Sequence, residues 1–431
     1  MAWQIPLSTS QDATVAPLGT TDDVFVASDV TIASKASFTI WGQGSDHEAI
    51  VYGTVISIGQ VAILLGELDG ENNTVSVKSG GEVHSLEASA VAIVSSNSFV
   101  RNDGLITAAG AGVSLESQSL DSTSIVNTGT IDVGGSGIFR SSESSETFVV
   151  RNSGIIRGSA SFNAESAADG RDLITNTGKM IGNVFLGGGD DLYDGRQGTV
   201  QGNVIAGAGK DRLYSGAGNT KLFGEDGDDT LMGGADADYL SGGSGSDRAS
   251  YASATKAVVV SLSNPSINAG DAKGDTFNSI ENLSGSNYND ILNGSSANNA
   301  INGGAGNDAI KGYAGIDFLT GGSGADLFIF NTAPNGATNI DTITDFSVAA
   351  DTIQLDNAVF AALTATGTLA AAAFRANATG LAADSSDRII YDTDDGELYY
   401  DAHGNGAGAP GIAFARLVAG LSLTNADFVV I

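Results

Sequence analysis

Between Ala206 and Ser250 the chain, cut every nine residues, reads AGAGKDRLY, SGAGNTKLF, GEDGDDTLM, GGADADYLS and GGSGSDRAS. The sixth place holds Asp211, Thr220, Asp229, Asp238 and Asp247, and the eighth holds Leu213, Leu222, Leu231, Leu240 and Ala249. A second run in the same frame opens at Gly285 as GSNYNDILN, GSSANNAIN, GGAGNDAIK, GYAGIDFLT and GGSGADLFI. Its sixth places are Asp290, Asn299, Asp308, Asp317 and Asp326. In each unit the first six places form a turn and the last three a short strand. Gly207, Gly209, Gly224, Gly227, Gly234, Gly242 and Gly245 in the first run let the backbone bend until carbonyl oxygens share a hollow with the carboxylate. Gly304, Gly306, Gly315, Gly322 and Gly324 do the same in the second. Several hard oxygen donors, half of them backbone, describe a calcium site better than one for magnesium, zinc or copper. With no Cys and only three His in the chain, a transition-metal centre competes poorly.

Such sites need an element that repeats in space as it does in sequence. Two nonapeptides complete one coil of a narrow solenoid, so turns on one edge come from alternate units. Asp211, Asp229 and Asp247 then fall on one edge of the first block, with Thr220 and Asp238 on the other. In the second block the edges are Asp290, Asp308 and Asp326 against Asn299 and Asp317. An ion between successive turns would bridge adjacent coils, and the thin core of eighth-place residues would depend on it, so that metal binding becomes folding energy. A lone Asp in a Gly-rich turn is more simply a turn cap, but ten units in register leave that explanation only for single members. Thr220 has no carboxylate and Asp236 replaces a fourth-place Gly, so weaker sites are expected beside them. Asp190, Asp226 and Asp228 read as charge density at the turns rather than ligands.

Upstream a looser repeat supplies a wider coil. VRNDGLI, IVNTGTI, VRNSGII and ITNTGKM place Gly104, Gly129, Gly154 and Gly178 at spacings of 25, 25 and 24 residues. One Asn-x-Gly corner per coil is what a parallel β-helix requires, and stacked Asn102, Asn127, Asn152 and Asn176 could hydrogen-bond along its axis. GNVFLGGGDDLYDG then recurs as GNVIAGAGKDRLYSG, with Asp191 and Asp211 offset by 20. The coil thus shortens towards 18 residues without a linker, and Asp191 joins the candidate metal ligands. Tyr251–Gly285 interrupts the repeats with a strand at VVVSL and turns at Asn264-Pro265 and Asn268–Gly270. Beyond Phe330 the period stops; DTITDF and DTIQLD read as strands, the Ala-rich stretch 358–373 as a short helix or loops, and RIIYD with ELYYD as a hairpin around Asp394-Asp395-Gly396.

The net charge of −31, from 50 acidic and 19 basic residues, disfavours nucleic acid and anionic membranes as partners and favours cations. Apolar residues make up 42% of the chain, so the acid is embedded in a foldable sequence rather than a disordered tail. No apolar run is long enough to span a bilayer, and the opening MAWQIPLSTSQD has neither the basic nor the apolar region of a signal peptide. The nonapeptides, the phrase DTFNSIENLSGS, and the later DTITDF and ELYYDAHGNGAG together resemble the RTX family of hemolysin-type calcium-binding repeats, over about 186–431. That resemblance implies a β-roll holding several calcium ions through Gly-region carbonyls and sixth-place Asp. It also implies export by type I secretion machinery that reads an uncleaved C-terminal signal, here ending in Asp427–Ile431, and folding only in extracellular calcium.

The expected fold is all-β: a parallel β-helix or β-solenoid over 1–185 continuing into a calcium-binding parallel β-roll. The first roll block is 186–250, a spacer 251–284, the second block 285–331, and a β-rich secretion region 332–431. Any catalysis must reside in 1–185. A parallel β-helix ahead of RTX repeats resembles secreted alginate epimerases and polysaccharide lyases, but the epimerase run Tyr-Gly-Phe-Asp-Pro-His is absent. No HExxH or GxSxG occurs. His47 and His84 read as isolated surface residues, as does His403, and Arg101 and Arg151 as outward strand positions. No enzymatic activity is expected, and the reading is a secreted, calcium-stapled adhesin, biofilm component or surface-layer subunit. Its partners would be cell-surface polysaccharide or copies of itself; the alternative is a carbohydrate-active β-helix.

Overall fold

A computed structural model describes residues 3–4, 9–11, 15–19, 22–116, 123–141, 147–165, 170–403 and 411–431. Parts of MAWQIPLSTSQD and the end of ELYYDAHGNGAG lie outside the described residues. Among the described residues there is no α-helix, only strands and four short 3₁₀ turns, and no helix is long and apolar enough to cross a membrane. The contacts divide the chain into two compact units, Met1–Gly233 with Asp238–Gly245, and Gly234–Ala237 with Ser246–Ile431.

The first unit is a parallel solenoid. One sheet stacks Glu48–Val51, Thr74–Val77, Phe99–Asn102, Ser124–Asn127, Phe148–Asn152, Asp172–Asn176, Leu192–Asp194, Arg212–Tyr214 and Thr230–Met232, each parallel to the next. Alternation along each strand turns every second side chain inward. The interior column Val75, Val100, Ile125, Val150, Ile174, Tyr193, Leu213 and Leu231 is at most 1% exposed. A wide coil has two more strands, such as Thr130–Val133 and Ser136–Arg140. Both pair with the single ten-residue strand Ile155–Ala164 of the next coil. The corner between them is lost there, where the offset falls from 25 (Thr130 to Ile155) to 24 (Ser136 to Ala160). Most of the shortening comes in the next coil, where it falls to 22 (Phe162 to Val184) and 19 (Leu173 to Leu192). Lys179–Gly188 in turn pairs with Thr199–Gln201 and Asn203–Ala208, and beyond it only the second of these rows continues, through Lys221–Asp226 to Tyr239–Ser244.

The corner asparagines form the expected ladder. Asn102, Asn127 and Asn152 each donate from Nδ2 to Oδ1 of the next, at 2.8 Å, ending on Asn176. All four are at most 1% exposed, so each amide satisfies its neighbour where water cannot reach, a net gain of about 1 kcal/mol per bond.

In the second unit Val259–Ser261 of the spacer pairs in parallel with Ile291–Ser295, followed by Ala309–Tyr313, Leu327–Phe330 and Thr352–Leu355. The facing sheet carries Asn282–Ser284, Ala300–Ala305, Phe318–Ser323 and Asp341–Ile343. Eighth-place Leu292, Ile301, Ile310, Leu319 and Phe328 are at most 1% exposed. Past the repeats, Phe330, Phe360, Phe414 and Tyr400 pack edge to face. The expected hairpin is present as Ile389–Asp392 antiparallel to Glu397–Tyr400. The Ala-rich stretch forms a 3₁₀ turn at Ala371–Ala373 rather than an α-helix. The last strand, Phe428–Val430, closes on Thr352–Leu355.

Several strands outrun the three residues expected of each nonapeptide. Lys221–Asp226, Tyr239–Ser244, Ala300–Ala305 and Phe318–Ser323 are six residues long, because pairing continues through the first places of the following unit.

Candidate metal centre

Consecutive coils are linked edge by edge through the sixth place. The backbone N–H of Asp211 donates to Oδ1 of Asp229 at 2.8 Å, that of Asp191 to Asp211 at 2.7 Å, and that of Asp172 to Asp191 at 2.6 Å. On the opposite edge the Thr220 N–H donates to Asp238 Oδ1 at 2.7 Å. The second unit repeats the pattern from Asp290 to Asp308 and from Asp308 to Asp326. Its other edge runs from Asn299 to Asp317, at 2.8 Å. The two-unit coil therefore places sixth-place residues on alternating edges as expected, with Asp247 falling in the second unit, where its N–H donates to Glu281 Oε2 at 2.9 Å.

One carboxylate oxygen is used in this way; the other is the informative one. Oδ2 of Asp191, Asp211, Asp308, Asp317 and Asp326 is buried with no hydrogen-bond partner. Such an atom is expensive to bury unless something positive sits against it. Its surroundings are shaped for that. A Cβ on first-place Gly303 would press against Asp308 Oδ2 and stand 2.6 Å from the Gly321 carbonyl oxygen. A Cβ on Gly224 would meet Asp229 Oδ2 and, at 2.7 Å, the Gly242 carbonyl. Gly312 and Gly321 face Asp317 and Asp326 in the same manner. The space beside the Cα of Gly224, Gly303, Gly312 and Gly321 is thus lined by a carboxylate oxygen of its own unit and, at Gly224 and Gly303, by a carbonyl of the next coil. Carboxylate and carbonyl oxygens are the donors calcium takes.

The remaining glycines stack carbonyls along each edge. A Cβ on second-place Gly207, Gly304 or Gly322 would collide with the carbonyl of Gly187, Ser286 or Gly304 one coil earlier. Fourth-place Gly209, Gly227, Gly245 and Gly324 do the same against Gly189, Gly209, Gly227 and Gly306. Gly234 and Gly315 keep the left-handed backbone of these places, with φ of 97° and 124°. Asp236 holds the fourth place at φ 84° without glycine, a conformation that strains a side chain-bearing residue. Among the described residues no three His, Cys, Asp or Glu side chains converge; at Gly224 and Gly303 the nearest oxygens are one carboxylate oxygen and one backbone carbonyl.

Electrostatics agree with the geometry. Burial raises Asp308 to about 7 and Asp211 to about 6. Asp191 reaches about 9 through burial together with the charge of Asp172. A bound cation reverses that pressure. Not every sixth place is alike. Asp290 accepts from Ser286 N at 2.5 Å, from Ser286 Oγ at 2.9 Å and from Val258 N at 2.7 Å. Asn299 is held by Ser295 N and the Glu281 carbonyl, and Thr220 bonds Ser215 Oγ at 2.7 Å. These three are satisfied by protein. Asp190, Asp226 and Asp228 reach between coils, to Lys210 N, Ser244 Oγ and Lys210 Nζ.

Sequence reasoning missed the ends of the edges. Asp326 N donates to Asp351 Oδ1 at 2.9 Å and Asp317 N to Asp341 Oδ1 at 3.2 Å, so the pattern outlasts the nonapeptides by one coil. At the other end it begins with Asp172, 19 residues before Asp191, where extending the Asp offset upstream would have found it. His47 is not a surface residue. It is 1% exposed, with Nδ1 2.8 Å from the Asp22 carbonyl and Nε2 2.7 Å from that of Gln43. His84 is part-buried and bonds Thr107 Oγ1 and Glu82, while His403 is exposed. Arg101 and Arg151 share an outward row but Val126 stands between them.

Two family models match the chain. The RTX calcium-binding nonapeptide repeat matches residues 203–222 and 214–249, in four copies, and the peptidase M10 serralysin C-terminal region matches residues 273–430. No curated protein matches the chain.

Proposed function

The chain is an RTX calcium-binding repeat protein with a serralysin-type C-terminal region, and from that premise we propose that it works outside the cell as a calcium-stapled surface or matrix component. In this reading the sixth-place aspartates named above, with the first-, second- and fourth-place carbonyls, hold ions between coils. Type I machinery exports the chain through its C-terminal region. The observation that carries the reading is the recurrence, at Asp308, Asp317 and Asp326, of a buried carboxylate oxygen with no partner, facing a first-place glycine. An adhesin, biofilm constituent or surface-layer subunit needs a long repetitive surface and no catalytic centre, which suits a repeat solenoid. The test has two arms. Chelation should collapse the β-type circular dichroism and calcium should restore it; a signal indifferent to chelator sinks the staple. Cells lacking the protein should lose attachment or aggregation, while the purified protein leaves polysaccharide uncut.

The alternative, a carbohydrate-active solenoid, draws on one observation. His84, Thr107, Asp132 and Arg157 occupy one outward row on successive coils. These groups are paired with each other and with Glu82, at 2.7–3.0 Å, as surface ion pairs commonly are. Cleavage of a polyuronate by the purified protein, abolished by His84→Ala, would establish the enzyme instead.

A further inference from the structure

Between His47 and Phe148 the sixth-place column carries no carboxylate. Followed upstream through the strand register, the positions equivalent to Asp229, Asp211, Asp191 and Asp172 are Phe148, Thr123, Ser98, Asn73 and His47. The same coil-to-coil bond recurs there with neutral acceptors. His47 N donates to Asn73 Oδ1 at 3.0 Å, Asn73 N to Ser98 Oγ at 3.1 Å, and Ser98 N to Thr123 Oγ1 at 3.2 Å. A neutral oxygen can be buried on such a bond without a counter-charge; a carboxylate cannot. The column changes from one chemistry to the other across Phe148.

At that change stands a buried cation. Arg140 lies in the interior row Leu65, Ile93, Leu115, Arg140 and Ala164, where the preceding coils carry aliphatic side chains. It is 0% exposed, as is Asp172. Small Ala164 on the next coil leaves room for the guanidinium to reach forward, and Nη1 donates to Asp172 Oδ1 at 2.6 Å and to the Gly170 carbonyl at 3.0 Å. Arginine suits the place because it stays protonated when buried and presents several donors in a fixed fork.

We propose that Arg140 is the resident cation of the column's first carboxylate rung, so that the calcium requirement of this unit starts at Asp191. The wide coils, closed by Arg140 and Asp172, fold without calcium and offer their last strands as the template on which the roll assembles once calcium arrives. This rests on the calcium reading of the roll. Hydrogen–deuterium exchange on the full chain, with chelator and then with calcium, tests the two separately. In chelator the wild type should protect strands between 74 and 165 while 203–245 exchanges freely. Removing one partner of a buried pair strands the other charge; Arg140→Ala should therefore lower protection across 148–176 by at least about 100-fold in chelator. Calcium should restore it, because Asp172 and Asp191 can then share an ion. Arg140→Ala with Asp172→Asn, which removes both charges, should regain protection without calcium. The proposal fails if Arg140→Ala matches wild type in chelator, if the double variant is no better than the single, or if the wide coils of the wild type exchange freely in chelator. Protection of 203–245 in chelator would instead overturn the calcium reading, and this proposal with it.

Discussion

At the scale of single residues, the sixth-place carboxylates and the first-place glycines are two halves of one device. Asp308 Oδ2 occupies the space a Cβ on Gly303 would need, so Gly303→Ala should weaken calcium binding in the direction of Asp308→Asn, with no carboxylate removed. Contacts to a charged group are worth roughly 1.5–3 kcal/mol, about tenfold or more in the calcium midpoint; calorimetric titration of both variants checks it, and an unchanged midpoint for Gly303→Ala would remove the glycine from the site. Protonation gives a second handle. Asp211, Asp308 and Asp191 titrate at about 6, 7 and 9 in the calcium-free fold, mainly because burial penalises their charge. Each binds its proton more tightly folded than unfolded, where an Asp titrates near 3.9. The calcium-free fold is therefore favoured below that value and loses stability as pH rises through 6 to 9. In chelator, circular dichroism should show more β structure at pH 5 than at pH 8; the reverse order would mean that these carboxylates are not buried without calcium.

At the scale of elements, the coil rather than the unit sets the behaviour of an edge. Thr220 satisfies its hydroxyl on Ser215, so its rung adds no carboxylate to the edge that carries Asp238. Thr220→Asp should add a rung and lower the calcium needed to order 203–245, read by exchange at stepped calcium; if the requirement is unchanged, the edges act independently of their charge count. Much of this was legible in the sequence. Fixed nine-residue spacing places Asp211, Asp229, Asp308 and Asp326, and Asn-x-Gly spacing places Asn102 to Asn176, because a solenoid converts sequence period directly into axial stacking. Two features were not legible. The fusion of two strand rows into Ile155–Ala164 depends on which corner is lost, and local patterning leaves both corners equally permissible. Arg140 stands before the serine-rich SSESSE, with no repeat frame to give its direction, and only the register with Leu65, Ile93 and Leu115 shows that it faces inward.

At the scale of the whole molecule, 50 acidic against 19 basic residues give a charge of −31, and two different forces oppose the calcium-free fold. One is long-range repulsion among exposed acids such as Asp226, the other the cost of burying Asp191 or Asp308 unpaired. In the proposed export, the first is what would keep the chain loose for a secretion channel. Deleting residues 374–431, which contain the proposed export signal, should leave the protein inside the cell; normal export of that truncation would place the signal elsewhere. The two forces separate by their response to salt. Roughly 1 M sodium chloride shortens the screening length to about 3 Å, which abolishes repulsion between exposed charges but does not reach an oxygen buried against a glycine hollow. High salt in chelator should therefore compact the chain, seen as a smaller hydrodynamic radius, without restoring the β signal of the roll. Millimolar calcium, the range in which extracellular calcium modules bind, should restore both. If sodium chloride alone recovers the full β signal, the roll is held apart by surface charge and its aspartates do not coordinate. If calcium recovers it at low ionic strength where sodium does not, the requirement lies in the buried oxygens.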